Sequence, residues 1–187
     1  IEVQKAVTPD HTHLVGKTWH AQTKAPYFRR EFVFMDETGE PVFYGASFSV
    51  VLDLNTRHIL RRFTLSQEMG QGNGVLLMQN IRPTFRETAE YALWGARPVY
   101  NSYLDILGHV NNTRYCEFAF DALTEAEKRR PIRKIALNFT GELRSGEQFE
   151  VYKGQVEETV FLKGVRTSDG KKSFDVAFTF GEPGSET

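Results

Sequence analysis

Two stretches of this chain follow one plan, and that repeat limits the fold more than any other feature. A strand led by Gly16 runs into a hairpin around Asp36-Glu37-Thr38-Gly39-Glu40. A strand led by Gly146 runs into a hairpin around Ser168-Asp169-Gly170-Lys171. The leading glycines are 130 positions apart and the turn glycines 131. Because order and spacing both agree, internal duplication explains the pattern better than the chance recurrence of glycine turns in a meander. Period-two, β-rich runs fill both copies: Gly16 to Lys24, Phe28 to Met35, Val42 to Leu52, Ile132 to Phe139, Gln148 to Glu157, Val160 to Arg166 and Phe174 to Phe180. Such alternation is what half-buried strands require.

One stretch reads as a long helix. From Thr113 to Arg129 the apolar positions Tyr115, Phe118, Ala119, Ala122 and Leu123 form the stripe of a helix with one buried face. Asn111 or Asn112 can cap its start, and Pro131 follows its end. The second copy therefore opens with a strand near Arg97 to Tyr103, a loop from Asp105 to Asn112 and this helix. The corresponding positions of the first copy fall before Ile1. A strand meander without its helix exposes a large apolar face, which soluble monomers avoid. The expectation is that the native chain, or a partner, supplies about one more strand and helix; a homodimer is carried as one such arrangement. The division expected is a partial first copy over 1–52, a linker over 53–96 and a complete second copy over 97–187. Within the linker, Ser66 to Gly74 is rich in Gln, Gly and Asn, and no Lys-Ser/Thr follows to make it a phosphate-binding loop.

The 187 residues are 40% hydrophobic and 25% charged, with 15 Phe and 7 Tyr, enough apolar material for a packed core rather than a disordered coil. Cys116, the single cysteine, excludes an internal disulfide, and no run of about 18 apolar residues is present to span a bilayer. Ile1 to Asp10 lacks the basic-then-apolar layout of a secretory signal, so the cytoplasm is the default compartment. A formal net charge of -1 gives no global pull toward nucleic acid or an anionic membrane.

Tyr103-Leu104-Asp105-Ile106-Leu107-Gly108-His109-Val110-Asn111-Asn112 gathers a carboxylate, an imidazole and two amides around a glycine at the strand-to-helix junction. Asp105 can activate water or attack a carbonyl itself, and His109 can orient a substrate or transfer a proton. Free backbone N–H groups opening the helix can stabilise an oxyanion. Spacing alone favours a plainer reading, a polar capping turn with Gly108 at a tight bend.

The run Leu104-Asp105-Ile106-Leu107-Gly108-His109-Val110-Asn111-Asn112-Thr113-Arg114-Tyr115 resembles the signature of the acyl carrier protein thioesterases, a bacterial and plant family built as two fused hot-dog domains. Arg29 to Leu52 is similar to the family's first-domain strands. Ile135-Ala136-Leu137-Asn138-Phe139-Thr140-Gly141-Glu142 is similar to the strand after the helix. The resemblance implies an α+β tandem hot-dog, with an antiparallel sheet wrapping a long helix in each half. It also implies hydrolysis of fatty acyl thioesters on acyl carrier protein as partner and substrate, and no metal or organic cofactor. It puts the catalytic carboxylate on Asp105, the histidine on His109 and a glutamate on Glu142. For Glu142 a surface carboxylate beside the Arg144-Ser145-Gly146 turn is an equal reading. One residue departs from the pattern: the family usually has Asn two positions after the Asp, and Leu107 can neither donate nor accept a hydrogen bond. Single-domain hot-dog acyl-CoA thioesterases use a similar Asp-x-x-Gly-His-Val-Asn-Asn loop without that Asn, which makes acyl-CoA hydrolysis the nearest alternative. A non-catalytic acyl-binding protein is the alternative from another class.

Other polar features have plainer readings. Cys116 sits on the helix stripe as a small buried residue, and His11 and His13 have no companions to complete a metal site. Two basic clusters, Arg57-His58 with Arg61-Arg62 and Lys128-Arg129-Arg130 with Arg133-Lys134, are solvated faces or docking points for an acidic carrier protein. No interleaved basic and aromatic groove points to nucleic acid.

Overall fold

The structure, a computed structural model, describes residues 1–6, 8, 12–53, 55–56, 58–61, 72–85 and 89–181. The chain divides into two compact units, Ile1–Pro83 and Thr84–Glu186. Arg57 and Arg62 of the first basic cluster, His11 and most of the Gln/Gly/Asn-rich stretch lie outside the described residues.

In the first unit, β1 (Glu2–Val3), β2 (Val15–Lys24), β3 (Tyr27–Met35) and β4 (Pro41–Val50) form an antiparallel sheet in the order β2-β3-β4-β1. The β3–β4 hairpin is closed by Asp36, whose Oδ1 accepts from Thr38 N, Thr38 Oγ1 and Glu40 N at 2.9, 2.7 and 3.0 Å. Gly39 takes φ +88°, open to glycine without strain. One face of this sheet is sealed by an ion pair. The fully buried Glu31 carboxylate meets Arg29 Nε at 2.6 Å and accepts from the amides of Leu77 and Met78, while Arg29 donates to the Met78 carbonyl. The pair fastens the chain around residues 77 and 78 to the sheet.

In the second unit, β5 (Ala92–Pro98) leads through a 3-10 turn at Asn101–Tyr103 to α1 (Asn112–Asp121) and α2 (Glu125–Lys128). β6 (Ile132–Phe139), β7 (Gln148–Val156), β8 (Thr159–Arg166) and β9 (Lys172–Phe180) follow. The sheet order is β6-β9-β8-β7-β5, antiparallel throughout. Matched in chain order, β1-β2-β3-β4 corresponds to β6-β7-β8-β9, and the spatial orders β2-β3-β4-β1 and β7-β8-β9-β6 are then the same. The duplicated plan is thus visible as topology. Among the described residues the first unit has no counterpart of β5 or α1.

The core of the second unit lies between α1 and its sheet. Tyr115, Phe118 and Ala119 face Phe149, Val151, Leu162, Phe174, Val176 and Phe178, all buried. Phe118 packs on Phe149 with ring centroids 5.1 Å apart, and Tyr115 on Phe174 at 4.9 Å. Burying each such side chain stabilises the fold by about 1.5–3 kcal/mol. Gly164 lies opposite Phe174, and a Cβ there would stand 2.0 Å from the ring. Glycine is required for that ring to lie flat over β8.

Two elements differ from expectation. The long helix is broken: α1 ends at Asp121 with Ala122 as its C-cap, and Thr124 caps α2 with a capping box, Oγ1 accepting from Glu127 N while Glu127 Oε2 accepts from Thr124 N. The Thr-x-x-Glu arrangement satisfies the orphan amides of a new helix better than continuation would. Ala122 and Leu123 nevertheless stay buried, so the apolar stripe outlives the helix. The opening strand runs over Ala92–Pro98 rather than near Arg97 to Tyr103: Val99 N still donates to Glu147 O at 2.8 Å, and the chain then turns away at Asn101–Tyr103.

Candidate active site

The loop between the 3-10 turn and α1 is folded by Asp105. Its carbonyl accepts from Gly108 N at 3.1 Å and its own N–H donates to His109 O at 2.8 Å. Its side-chain Oδ1 accepts from Leu107 N at 2.8 Å and, more weakly, from His109 N at 3.4 Å. Gly108 adopts φ +75° to close the turn, a conformation that costs glycine nothing, and the space around its Cα is open to 4 Å. Both acceptor bonds converge on Oδ1. Oδ2 accepts no hydrogen bond among the described residues and is available to a water or a carbonyl carbon.

His109 stands opposite Arg144 in an antiparallel bridge. Its Nε2 lies 3.0 Å from Glu142 Oε2, so Nε2 carries the proton and Glu142 fixes the ring. Glu142 is not on a strand. β6 ends at Phe139, and Glu142 sits in the connection to β7. There Thr140 N and Gly141 N donate to Ser173 O at 2.8 and 3.0 Å, and Ser173 Oγ donates to Gly141 O at 2.5 Å. Arg166 Nη1 donates to the Glu142 carbonyl at 3.1 Å, and Arg144 Nη2 to Glu142 Oε2 at 3.2 Å. Sequence reasoning names neither arginine as part of the site; the pairing of residue 144 with residue 109 is a tertiary fact that no local pattern carries.

Asp105 and His109 do not bond through their side chains. They share a loop, joined by backbone bonds, while the imidazole turns to Glu142. Leu107 is 71% exposed, so the position where an Asn was expected presents its side chain to solvent.

The helix opening is narrower as an anion site than expected. Asn111 is the N-cap, its Oδ1 accepting from Thr113 N at 3.0 Å and Thr113 Oγ1 at 2.8 Å. Asn111 N is taken by Tyr103 O, Val110 N by Leu143 O and Arg114 N by Asn111 O. That leaves Asn112 N–H as the amide from 109 to 114 that donates to no group among the described residues. One unpaired amide, rather than several, opens this helix.

Behind the loop, Tyr115 Oη accepts from Leu143 N at 3.4 Å, tying α1 to the Glu142 connection. Burial pushes the Tyr115 phenol up from its ordinary value, and burial likewise raises the Cys116 thiol. Both are neutral side chains at the working pH, and Cys116 packs on the core rather than serving as a thiolate. Among the described residues no three His, Cys, Asp or Glu side chains gather as metal ligands, and His13 instead bonds Thr12 and Glu37.

Residues 95–182 match the family model of the acyl-ACP thioesterase C-terminal domain. The C-terminal part of this chain is thus similar to the C-terminal domain of acyl-ACP thioesterases. Solved structures with the same fold extend the likeness across both units. An acyl-ACP thioesterase from Bacteroides thetaiotaomicron matches with TM-score 0.74 and 20% identity, over 90% of this chain and 68% of that one. A putative oleoyl thioesterase from Lactobacillus plantarum matches at 0.73 and 17%, over 99% and 73%. The 12:0-ACP thioesterase from Umbellularia californica matches at 0.70 and 18%, over 90% and 67%. At these identities the likeness is one of fold, here the hot-dog fold of acyl-ACP thioesterases. No curated protein matches the chain by sequence. Among the described residues no helix is long and apolar enough to cross a membrane.

Proposed function

We propose that this protein hydrolyses fatty acyl thioesters carried on acyl carrier protein and releases the free fatty acid, with Asp105, His109 and Glu142 as its working groups. The observation that carries the reading is the loop that Asp105 folds: one of its carboxylate oxygens is committed to the loop and the other open, and the same loop presents His109, whose imidazole Glu142 anchors, and the helix-opening Asn112 amide. Asp105 Oδ2 takes a proton from water as the oxygen attacks the thioester carbonyl carbon. The carbonyl oxygen becomes an oxyanion, for which Asn112 N–H is the available donor. Collapse breaks the carbon–sulfur bond, and the departing thiolate takes the proton held by Asp105. His109, fixed through Nε2, orients the acyl group. Direct attack by Asp105, through an acyl anhydride, uses the same oxygen.

Hydrolysis of a panel of acyl carrier protein thioesters by the intact protein, with acyl-CoA in competition, tests the reading. Preferential turnover of carrier-bound substrate is the expected result, and tight acyl binding without release of fatty acid would overturn it. Label found in Asp105 after a single turnover in oxygen-18 water would mark the anhydride route, since water attacking the aspartyl carbon of the anhydride leaves its oxygen there.

Docking of the acidic carrier falls to the cations around α2. Two of them have other work. Lys128 pairs with Glu125 at 3.0 Å, and Arg130 pairs with Glu158, donates to Gly181 O at 2.9 Å and stacks on Phe180. Arg129 is exposed at the helix end. Its charge reversal is expected to raise KM for carrier-bound substrate at low salt and to leave acyl-CoA turnover unchanged.

A further inference from the structure

The backbone places three residues of the site on one face before any side chain is considered. His109 and Arg144 are bridge partners, and partners across an antiparallel bridge project to the same side. Glu142 lies two positions before Arg144, the spacing that returns a side chain to that side in extended chain. The side chains follow the register: His109 Nε2 and Arg144 Nη2 approach the same atom, Glu142 Oε2, at 3.0 and 3.2 Å.

Arg144 is 59% exposed, and its guanidinium bonds to Glu142 alone among the described residues. It contributes little packing. The backbone beneath it is held by other means. Arg144 N donates to Glu147 Oε2 at 2.7 Å, Glu147 N donates to Arg144 O at 3.2 Å, and Arg166 holds the Glu142 carbonyl. The connection therefore keeps its shape when the Arg144 side chain is shortened. What changes is the freedom of Glu142, whose side chain is 37% exposed and has several torsions to fix.

We infer that Arg144 is a positioning residue: it holds Glu142 Oε2 toward His109, so that the imidazole keeps one orientation beside Asp105. The inference rests on the hydrolysis proposed above. A planar guanidinium suits the task because it is always charged and directs its donors from a fixed fork.

The test compares wild type, Arg144→Gln and Arg144→Lys for kcat and KM on a carrier-bound acyl substrate, for Tm, and for the imidazole N–H proton of His109 by NMR, assigned through His109→Gln. Arg144→Gln is expected to lower kcat by about two- to fivefold, the range for a partly exposed ion pair. KM and Tm stay unchanged, and lysine restores most of the rate. The His109 N–H signal is expected to exchange faster with water in Arg144→Gln and to stay protected in Arg144→Lys. Equal kcat and an unchanged signal in all three proteins would overturn the inference. So would a kcat loss that follows a fall in Tm and is not restored by lysine. If the wild type turns over no acyl thioester, the functional reading fails, and the His109 signal still decides the role of Arg144.

Discussion

The two units repeat one strand order, yet they bury different things. In the second unit a helix covers one sheet face, and Phe149, Phe174 and Phe178 are fully buried beneath it. In the first unit Phe32, Phe34 and Phe43 remain half-buried, and the largest fully buried side chain is the charged Glu31. The stacked pair Phe34 and Phe43, with centroids 4.7 Å apart, marks the face that corresponds to the helix-covered one. The difference teaches that the repeated sheet is a scaffold and not the source of chemistry. Asp105, His109, Asn112, Glu142 and Arg144 come from the junction of β5 with α1 or from the connection after β6, with Arg166 on β8 only supporting them, and the first of these has no counterpart among the described residues of the first unit.

The sharpest break in the comparison is functional. Asp105→Asn is expected to reduce thioester hydrolysis by about 10²–10⁴-fold, the range of general-base catalysis. Tm should stay within a degree or so, because the amide oxygen still accepts from Leu107 N. A variant at the parent rate would move the chemistry elsewhere. Next come the two cores. Glu31→Ala leaves Arg29 buried without its partner and is expected to destabilise the first unit by about 3–5 kcal/mol. Phe174→Ala opens a cavity in the second unit and should cost about 3–5 kcal/mol. The matching change in the first unit, Phe43→Ala, removes a half-buried ring and should cost roughly 1 kcal/mol. Urea unfolding checks all three, and equal losses for the two phenylalanines would erase the contrast. Gly108→Ala is of the same order as the Phe43 change. Its Cβ meets nothing within 4 Å, so only the φ of +75° is penalised, by about 1–2 kcal/mol.

Much of the fold is legible in the sequence because its signals are local. The seven alternating runs correspond to seven strands with ends shifted by a few residues, and the glycine offsets correspond to the matched sheet orders. Glu2–Val3 escapes a sequence reading because a two-residue strand has no period to detect. The helix reads as one long element because the apolar stripe continues through Leu123, whereas the signal that ends α1 is the Thr124 capping box, a polar motif inside the apolar period. The site is legible only in part. Asp105, His109 and Glu142 stand out through the family resemblance, and the contact between His109 and Glu142 depends on a bridge between segments far apart in sequence. The narrowing of the anion site to Asn112 N–H follows from which of two asparagines caps the helix, a choice their adjacency hides.

The break between α1 and α2 also offers the finest test of how the second unit is finished, because the first has no such element among its described residues. Lys153 on β7 reaches across it, donating to Ala122 O at 3.1 Å and to Glu127 Oε2 at 2.5 Å. One ammonium thus satisfies the C-cap carbonyl of α1 and the carboxylate that caps α2. Burial pushes the Glu127 carboxyl up, but the bonds from Lys153 and Thr124 outweigh burial and leave it below its ordinary value. A carboxylate lowered in the folded state contributes stability above its unfolded pKa and loses that contribution as pH falls through its folded one. Glu127→Gln is therefore expected to reduce stability near pH 7 by a few tenths to about 1 kcal/mol, as partly exposed pairs do. The gap from wild type should close as pH drops below the ordinary carboxylate range. Thermal melts of both proteins from neutral to acid pH measure it, and a gap that stays constant would mean that Glu127 acts through the neutral geometry of its cap and not through its charge.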